Sequence, residues 1–227
     1  MQKKYELIET PTEWNRDGYS RKLYQIKALI DIDCGVVAGD VGGLIESEHN
    51  LSHEGNCWVH PNAVVTEGAQ VFENAQVMSG GIVTENAKVF GEAVIQENAT
   101  VWGDAEIYGD AVVEGNGVCV SGDAKISGSA VISGVDLTIA HGAIIEKPDD
   151  YLVVHVPYSP CDIDGVDRTY VCTFYKIGDG KVAMQFMQSH YDLIQYDDGH
   201  PTYDDIIQRI REMIDNFSTD NLIDPGK

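Results

Sequence analysis

Aliphatic residues recur at every sixth position through the middle of the chain: Val59, Val65, Val71, Val77, Val83, Val89, Ile95, Val101, Ile107 and Val113. Two residues before nine of them stands a small one: Ala63, Ala69, Ala75, Gly81, Ala87, Ala93, Ala99, Ala105 and Ala111. The register slips by one residue near Gly115–Gly117 and resumes at Val120, Ile126 and Ile132; it slips again near Gly134–Asp136 before Ile139 and Ile145. A period of six fits no helix, because 3.6 residues per turn would scatter the aliphatics around the cylinder. It fits short strands, in which residues i and i+2 face the same way, so the small residue and the aliphatic point inward together. Turn chemistry closes the hexads, as at Glu73-Asn74, Glu85-Asn86, Gly103-Asp104 and Gly109-Asp110, where Asn, Asp and Gly tolerate a left-handed corner. Three such units make a three-sided coil of 18 residues. The span Leu51–Glu146 therefore predicts about five coils, stacked ~4.8 Å apart around a column of Val and Ile over Ala.

The flanks read differently. Tyr5–Ile8 and Leu23–Ile32 are strand-like, and Gly35–Gly43 is a glycine-rich lead-in. Residues 1–50 are therefore expected to cap the edge of the first coil, which would otherwise recruit other strands. After Lys147-Pro148 the hexads stop. Tyr151–Val156 and Thr169–Tyr175 are strand-like, and Lys176–Lys181, with Gly178-Asp179-Gly180, predicts a hairpin turn into Val182–Met187. Thr202 and Asp205 form a capping pattern, and Ile206, Ile207, Ile210, Met213, Ile214 and Phe217 recur at helical spacing. The expected organisation is a mainly β chain: capping strands at 1–50, repeat coils at 51–147, a small α+β domain at 148–219 and a mobile tail at 220–227. The α+β domain should pack on the last coil or on a neighbouring subunit.

The hexads from Leu51 to Glu146 resemble the hexapeptide-repeat proteins, and the resemblance implies a left-handed parallel β-helix; parallel crossovers are otherwise nearly always right-handed. The segment LYQIKALIDI followed by GDVGGLIESEHNLSHEGNCWV is similar to a narrower bacterial and phage group, the YdcK-like proteins, labelled acyltransferases on fold alone. Fold is weak grounds for chemistry. The resemblance implies a homotrimer. For an acyltransferase it implies a histidine base in a cleft between subunits, with acetyl-coenzyme A along the coils.

Register assigns every outward side chain to a face. On the first face Phe72, Phe90 and Tyr108 lie 18 apart and should stack, beside Gln70, Lys88, Glu106 and Lys125, of which the last three alternate in sign. Such ladders stabilise flat sheets; exposed and contiguous, they also mark an interface. The second face carries Val94, Val112 and Val131 outward, and the third Val64, Ile82 and Trp102. Apolar residues on more than one face suit the trimer.

Charge narrows the partners. With 37 acidic and 15 basic side chains the net charge is −22, which repels phosphate backbones, excludes direct nucleic-acid binding and favours a basic protein partner. An inhibitor imitating the charge of a duplex is one version of that reading, although the glutamates after the strands (Glu67, Glu73, Glu85, Glu97) are expected on different corners. No run approaches the about eighteen apolar residues of a membrane helix. The start, MQKKYELIET, lacks the apolar core of a signal peptide, and five scattered cysteines without a CxxC pair suit reduced thiols. A cytoplasmic protein is expected.

Candidate chemistry is sparse. His141, beside the second slip, and His60, outward beside Pro61, are the candidate catalytic bases. His49, His53 and His60 lie in the first coil but lack the ligand spacing of β-helical carbonic anhydrases. Asp162, Asp164 and Asp167 in DIDGVD resemble half a calcium loop, with the glycine one place early and no closing glutamate. The leading expectation is a non-catalytic, cofactor-free, acidic binding or assembly protein, plausible as a phage or mobile-element accessory protein. The alternative is an acyl-coenzyme-A-dependent acyltransferase with its site at a trimer interface.

Overall fold

The computed structural model describes residues 2–16, 18–140, 142–158, 168–177, 181–188 and 222–223. The hexads build a parallel β-solenoid with three walls. The first wall contains β7 (Gln70–Val71), β10 (Lys88–Val89), β13 (Glu106–Ile107), β16 (Lys125–Ile126) and β19 (Ile144–Ile145). The second contains β5 (Trp58–Val59), β8 (Gln76–Val77), β11 (Val94–Gln96), β14 (Val112–Glu114) and β17 (Val131–Ser133). The third contains β4 (Val41–Ile45), β6 (Val64–Val65), β9 (Ile82–Val83), β12 (Thr100–Val101), β15 (Cys119–Val120) and β18 (Thr138–Ile139). Val71, Val89 and Ile107 occupy consecutive rungs of the first wall. The inward Ala, Val and Ile of every coil are buried in one continuous core, which is the source of stability in a fold whose strands are only two or three residues long.

The solenoid makes about six turns, one more than the hexads indicated, because β4 pairs in parallel with β6 ahead of Leu51. This first rung carries no hexad mark. Gly42 and Gly43 replace the usual side chains, since a Cβ at Gly43 would stand 2.5 Å from the carbonyl oxygens of His60 and Ala63. The two one-residue slips stack on a single corner between the second and third walls. Gly115 and Gly117 sit in the upper insertion, Gly134 and Asp136 in the lower, and Asp136 N donates to Asn116 O at 3.0 Å.

The N-terminal strands cover the open end. β1 (Tyr5–Leu7) pairs antiparallel with β3 (Tyr19–Ala28), and β3 with β4. Tyr5 stacks on His53 at 4.3 Å, meets Trp58 edge-on and donates its hydroxyl to Leu51 O at 2.7 Å. Lys4 is 1 % exposed. Its Nζ donates to Cys57 O at 2.8 Å and Gly55 O at 3.2 Å, and lies 3.1 Å from Cys57 Sγ. Carbonyls thus replace the water lost by the ammonium group.

This docking should depend on pH. Burial holds His53 below its ordinary 6.5, and the hydrogen bond from Lys3 leads the causes that hold Glu48 below its ordinary 4.5. Both shifts favour the docked strand at neutral pH. As pH falls past 6.5 the undocked His53 takes up its proton first, and the loss continues as Glu48 is protonated in its docked state. The protection factor of the Ile8 amide, which donates to Gln25 O at 2.9 Å, should therefore fall on acidification from pH 7 to about 4. Protection that stays constant across that window would contradict the assignment.

At the other end β20 (Tyr151–Tyr158), β21 (Arg168–Ile177) and β22 (Lys181–Gln188) form an antiparallel sheet, with β23 (Leu222–Ile223) parallel to β22. Tyr175 belongs to the solenoid core, and Tyr151 donates its hydroxyl to Val131 O at 2.7 Å. The sheet therefore packs on the last coil of its own chain. The helix expected over Ile206–Phe217 and the turn Gly178–Gly180 lie outside the described residues. Within the segment expected to be a tail, Leu222 and Ile223 are strand-paired.

Candidate functional site

The first wall carries both ladders in register. Phe72 stacks on Phe90 at 4.8 Å and Phe90 on Tyr108 at 5.0 Å, with ring planes within 6° of parallel. The rung spacing of a parallel sheet dictates that distance once identical ring positions recur every coil. Beside them Glu106 lies between two cations, Lys88 Nζ at 3.7 Å and Lys125 Nζ at 3.4 Å. On the second wall Val94, Val112 and Val131 are aligned and half-buried.

The corner glutamates are positioned otherwise than expected. Glu67 and Glu85 share one corner, a coil apart, and both adopt left-handed backbone with φ near 60°. Each sends its carboxylate to the following coil: Glu67 Oε2 accepts from Glu85 N at 2.8 Å, and Glu85 Oε2 from Gly103 N at 3.1 Å. Glu73 does the same for Gly91 N at 2.9 Å on another corner. These charge-assisted bonds offset the cost of a left-handed glutamate. Part of the acidity is therefore stapling between coils.

The N-terminal hairpin overhangs part of the third wall. β2 (Thr12–Arg16) and β3 form a hairpin that pairs Trp14 with Arg21 and Arg16 with Tyr19. These four residues, at alternate positions on the same side of the hairpin, face the third wall across a groove of about 450 Å³. The wall contributes Thr84, Thr100 and Trp102, and the adjoining corner contributes Glu67 and Glu85. Arg21 lies between Glu46, at 3.5 Å, and Glu67, which it contacts directly. Glu67 Oε2 also accepts from Thr84 Oγ1 at 2.9 Å. Burial pushes the Cys119 thiol up against the opposing pull of the nearby Arg16 guanidinium. Trp102, expected at an interface, lines this groove. Trp14, Arg16, Tyr19 and Arg21 were not singled out from sequence; the Asp17-Gly18 dipeptide between two alternating segments was the available hairpin signal.

Among the described residues the candidate histidines do not converge. His60 Nε2 donates to Gln76 Oε1 at 2.9 Å, and Gln76 is held by the carbonyls of Asn56 and Asn74. His49 meets Gln70 and His53 meets Tyr5, so the three first-coil histidines serve separate partners. Among the described residues no group of three His, Cys, Asp or Glu could hold a metal. His141, Asp162, Asp164 and Asp167 lie outside the described residues. Among the described residues no helix is long and apolar enough to cross a membrane. Compared with protein-family models and with curated proteins, the chain matches none.

Proposed function

We propose that this protein is a non-catalytic β-helical binding and assembly protein that associates through its first wall as a homotrimer. The observation that carries this reading is the pairing of an aromatic ladder with an alternating charge ladder on one flat face. A chain of net charge −22 repels its own copies. Lys88 and Lys125 are the two cations between residues 51 and 146, and both flank Glu106 on that wall. Association is therefore least opposed there, and the half-buried rings of Phe72, Phe90 and Tyr108 supply apolar area to cover. The acidic remainder suits a basic protein partner. Duplex mimicry is less favoured, because Glu67, Glu73 and Glu85 are bonded along the stack to backbone amides.

The same proposal takes the repeat as the left-handed hexapeptide type, akin to the YdcK-like group, in a cytoplasmic setting and as a phage or mobile-element accessory protein. Its support is the hexad pattern and the parallel three-walled stack. Phe90→Asp should reduce the mass seen by light scattering from three chains to one, with the circular dichroism of the solenoid retained. A parent protein of single-chain mass, or a variant whose mass is unchanged, would overturn the interface. The acyltransferase alternative would instead require saturable thermal stabilisation by acetyl-coenzyme A.

A further inference from the structure

We infer that the groove between the β2–β3 hairpin and the third wall binds an uncharged polyhydroxylated ring, a neutral saccharide. The site lies on a different wall from the association face and stands whether or not the chain assembles. Its volume of about 450 Å³ falls within the ordinary range for small-ligand sites. Two of its aromatic rings are strongly exposed, Tyr19 at 71 % and Trp102 at 40 %, and Trp14 lines the same space. Rings left open over a groove offer flat apolar area that a ligand would cover.

The remaining lining is polar and already oriented. Arg21 is held between Glu46 and Glu67, and Glu67 is held in turn by Thr84 and the Glu85 amide. Glu85 uses one carboxylate oxygen on Gly103 N, and its other oxygen accepts from none of the described residues. Rigid groups of this kind bind with little ordering cost.

Charge and polarity then select the ligand. Arg16 and Arg21 oppose Glu67 and Glu85, so the groove presents both signs and attracts neither a strong anion nor a strong cation. The net charge of −22 further disfavours phosphates, sulfates and carboxylates. An apolar ligand would strip the remaining water from the charged groups of Arg21 and Glu85 and put nothing polar in its place. A pyranose meets both demands: its C–H face lies on an indole or phenol ring, and its paired hydroxyls donate to carboxylate and accept from guanidinium.

Tryptophan fluorescence tests this, because Trp14 and Trp102 lie in the groove while Trp58 is buried under the coil. The full chain is titrated with neutral hexasaccharides of glucose, mannose and N-acetylglucosamine, and with polyglutamate and spermine as charged comparators. Saturable change with at least one neutral sugar is expected. Trp102→Ala, with its unfolding temperature checked, should weaken that binding about tenfold or more, and Trp14→Phe, which keeps a ring, should weaken it less. The inference is overturned if no neutral sugar binds. It is equally overturned if a charged comparator binds more tightly, or if sugar binding survives Trp102→Ala unchanged.

Discussion

Ile107→Asp is expected to leave the solenoid unfolded. Ile107 is fully buried, between Val89 and Ile126 in the rungs on either side. Truncation to alanine alone should cost about 3 kcal/mol through lost burial and the cavity left behind. An ionised carboxylate there has no partner within an apolar column, which adds several kcal/mol and exceeds what a marginally stable chain can lose. The neighbouring Glu106→Ala, on the outside of the same strand, should change the stability of the dissociated chain by only about 0.5 kcal/mol, since its two lysine contacts are solvent-screened there. Thermal unfolding followed by circular dichroism separates these outcomes. Similar destabilisation by Glu106→Ala and Ile107→Ala would refute the assignment of inside and outside.

Gly115→Ala should be nearly as damaging, for a different reason. Gly115 has φ of 114°, and an added Cβ would stand 2.1 Å from Gly134 O in the next coil. The backbone strain and the collision with a carbonyl cannot be relieved separately, because both insertions stack on that corner. A loss of about 3 kcal/mol or more is expected. Gly39→Ala provides the comparison. Its φ is 100° but nothing lies within 4 Å of the added Cβ, so only conformational strain of about 1–2 kcal/mol applies. Equal unfolding temperatures for the two variants would rule out close packing at the insertion corner.

The candidate sites were legible to different degrees. The stacking of Phe72, Phe90 and Tyr108 follows from positions 18 apart, and the alternation of Lys88, Glu106 and Lys125 from spacings of 18 and, across the slip at Gly115–Gly117, 19; the structure adds only the distances. The same arithmetic puts Glu67 and Glu85 on one corner, but their bonds to the next coil need left-handed backbone that spacing does not reveal. The groove was not legible at all. Its lining comes from residues 14–21 and 67–102, two segments with no shared period, and only the path of the hairpin over the third wall brings them together.

A repeat of six, with small and aliphatic residues two apart, dictated the walls, the corners and the inward column, because each coil meets only its neighbours and local spacing therefore carries the whole contact pattern. Where contacts join distant parts of the chain, that translation fails. The glycine-rich first rung against β6, the seating of Lys4 on the carbonyls of Gly55 and Cys57, and the hairpin over Trp102 were decided by tertiary packing, since each depends on which surface the non-repeating segment meets once the stack has formed.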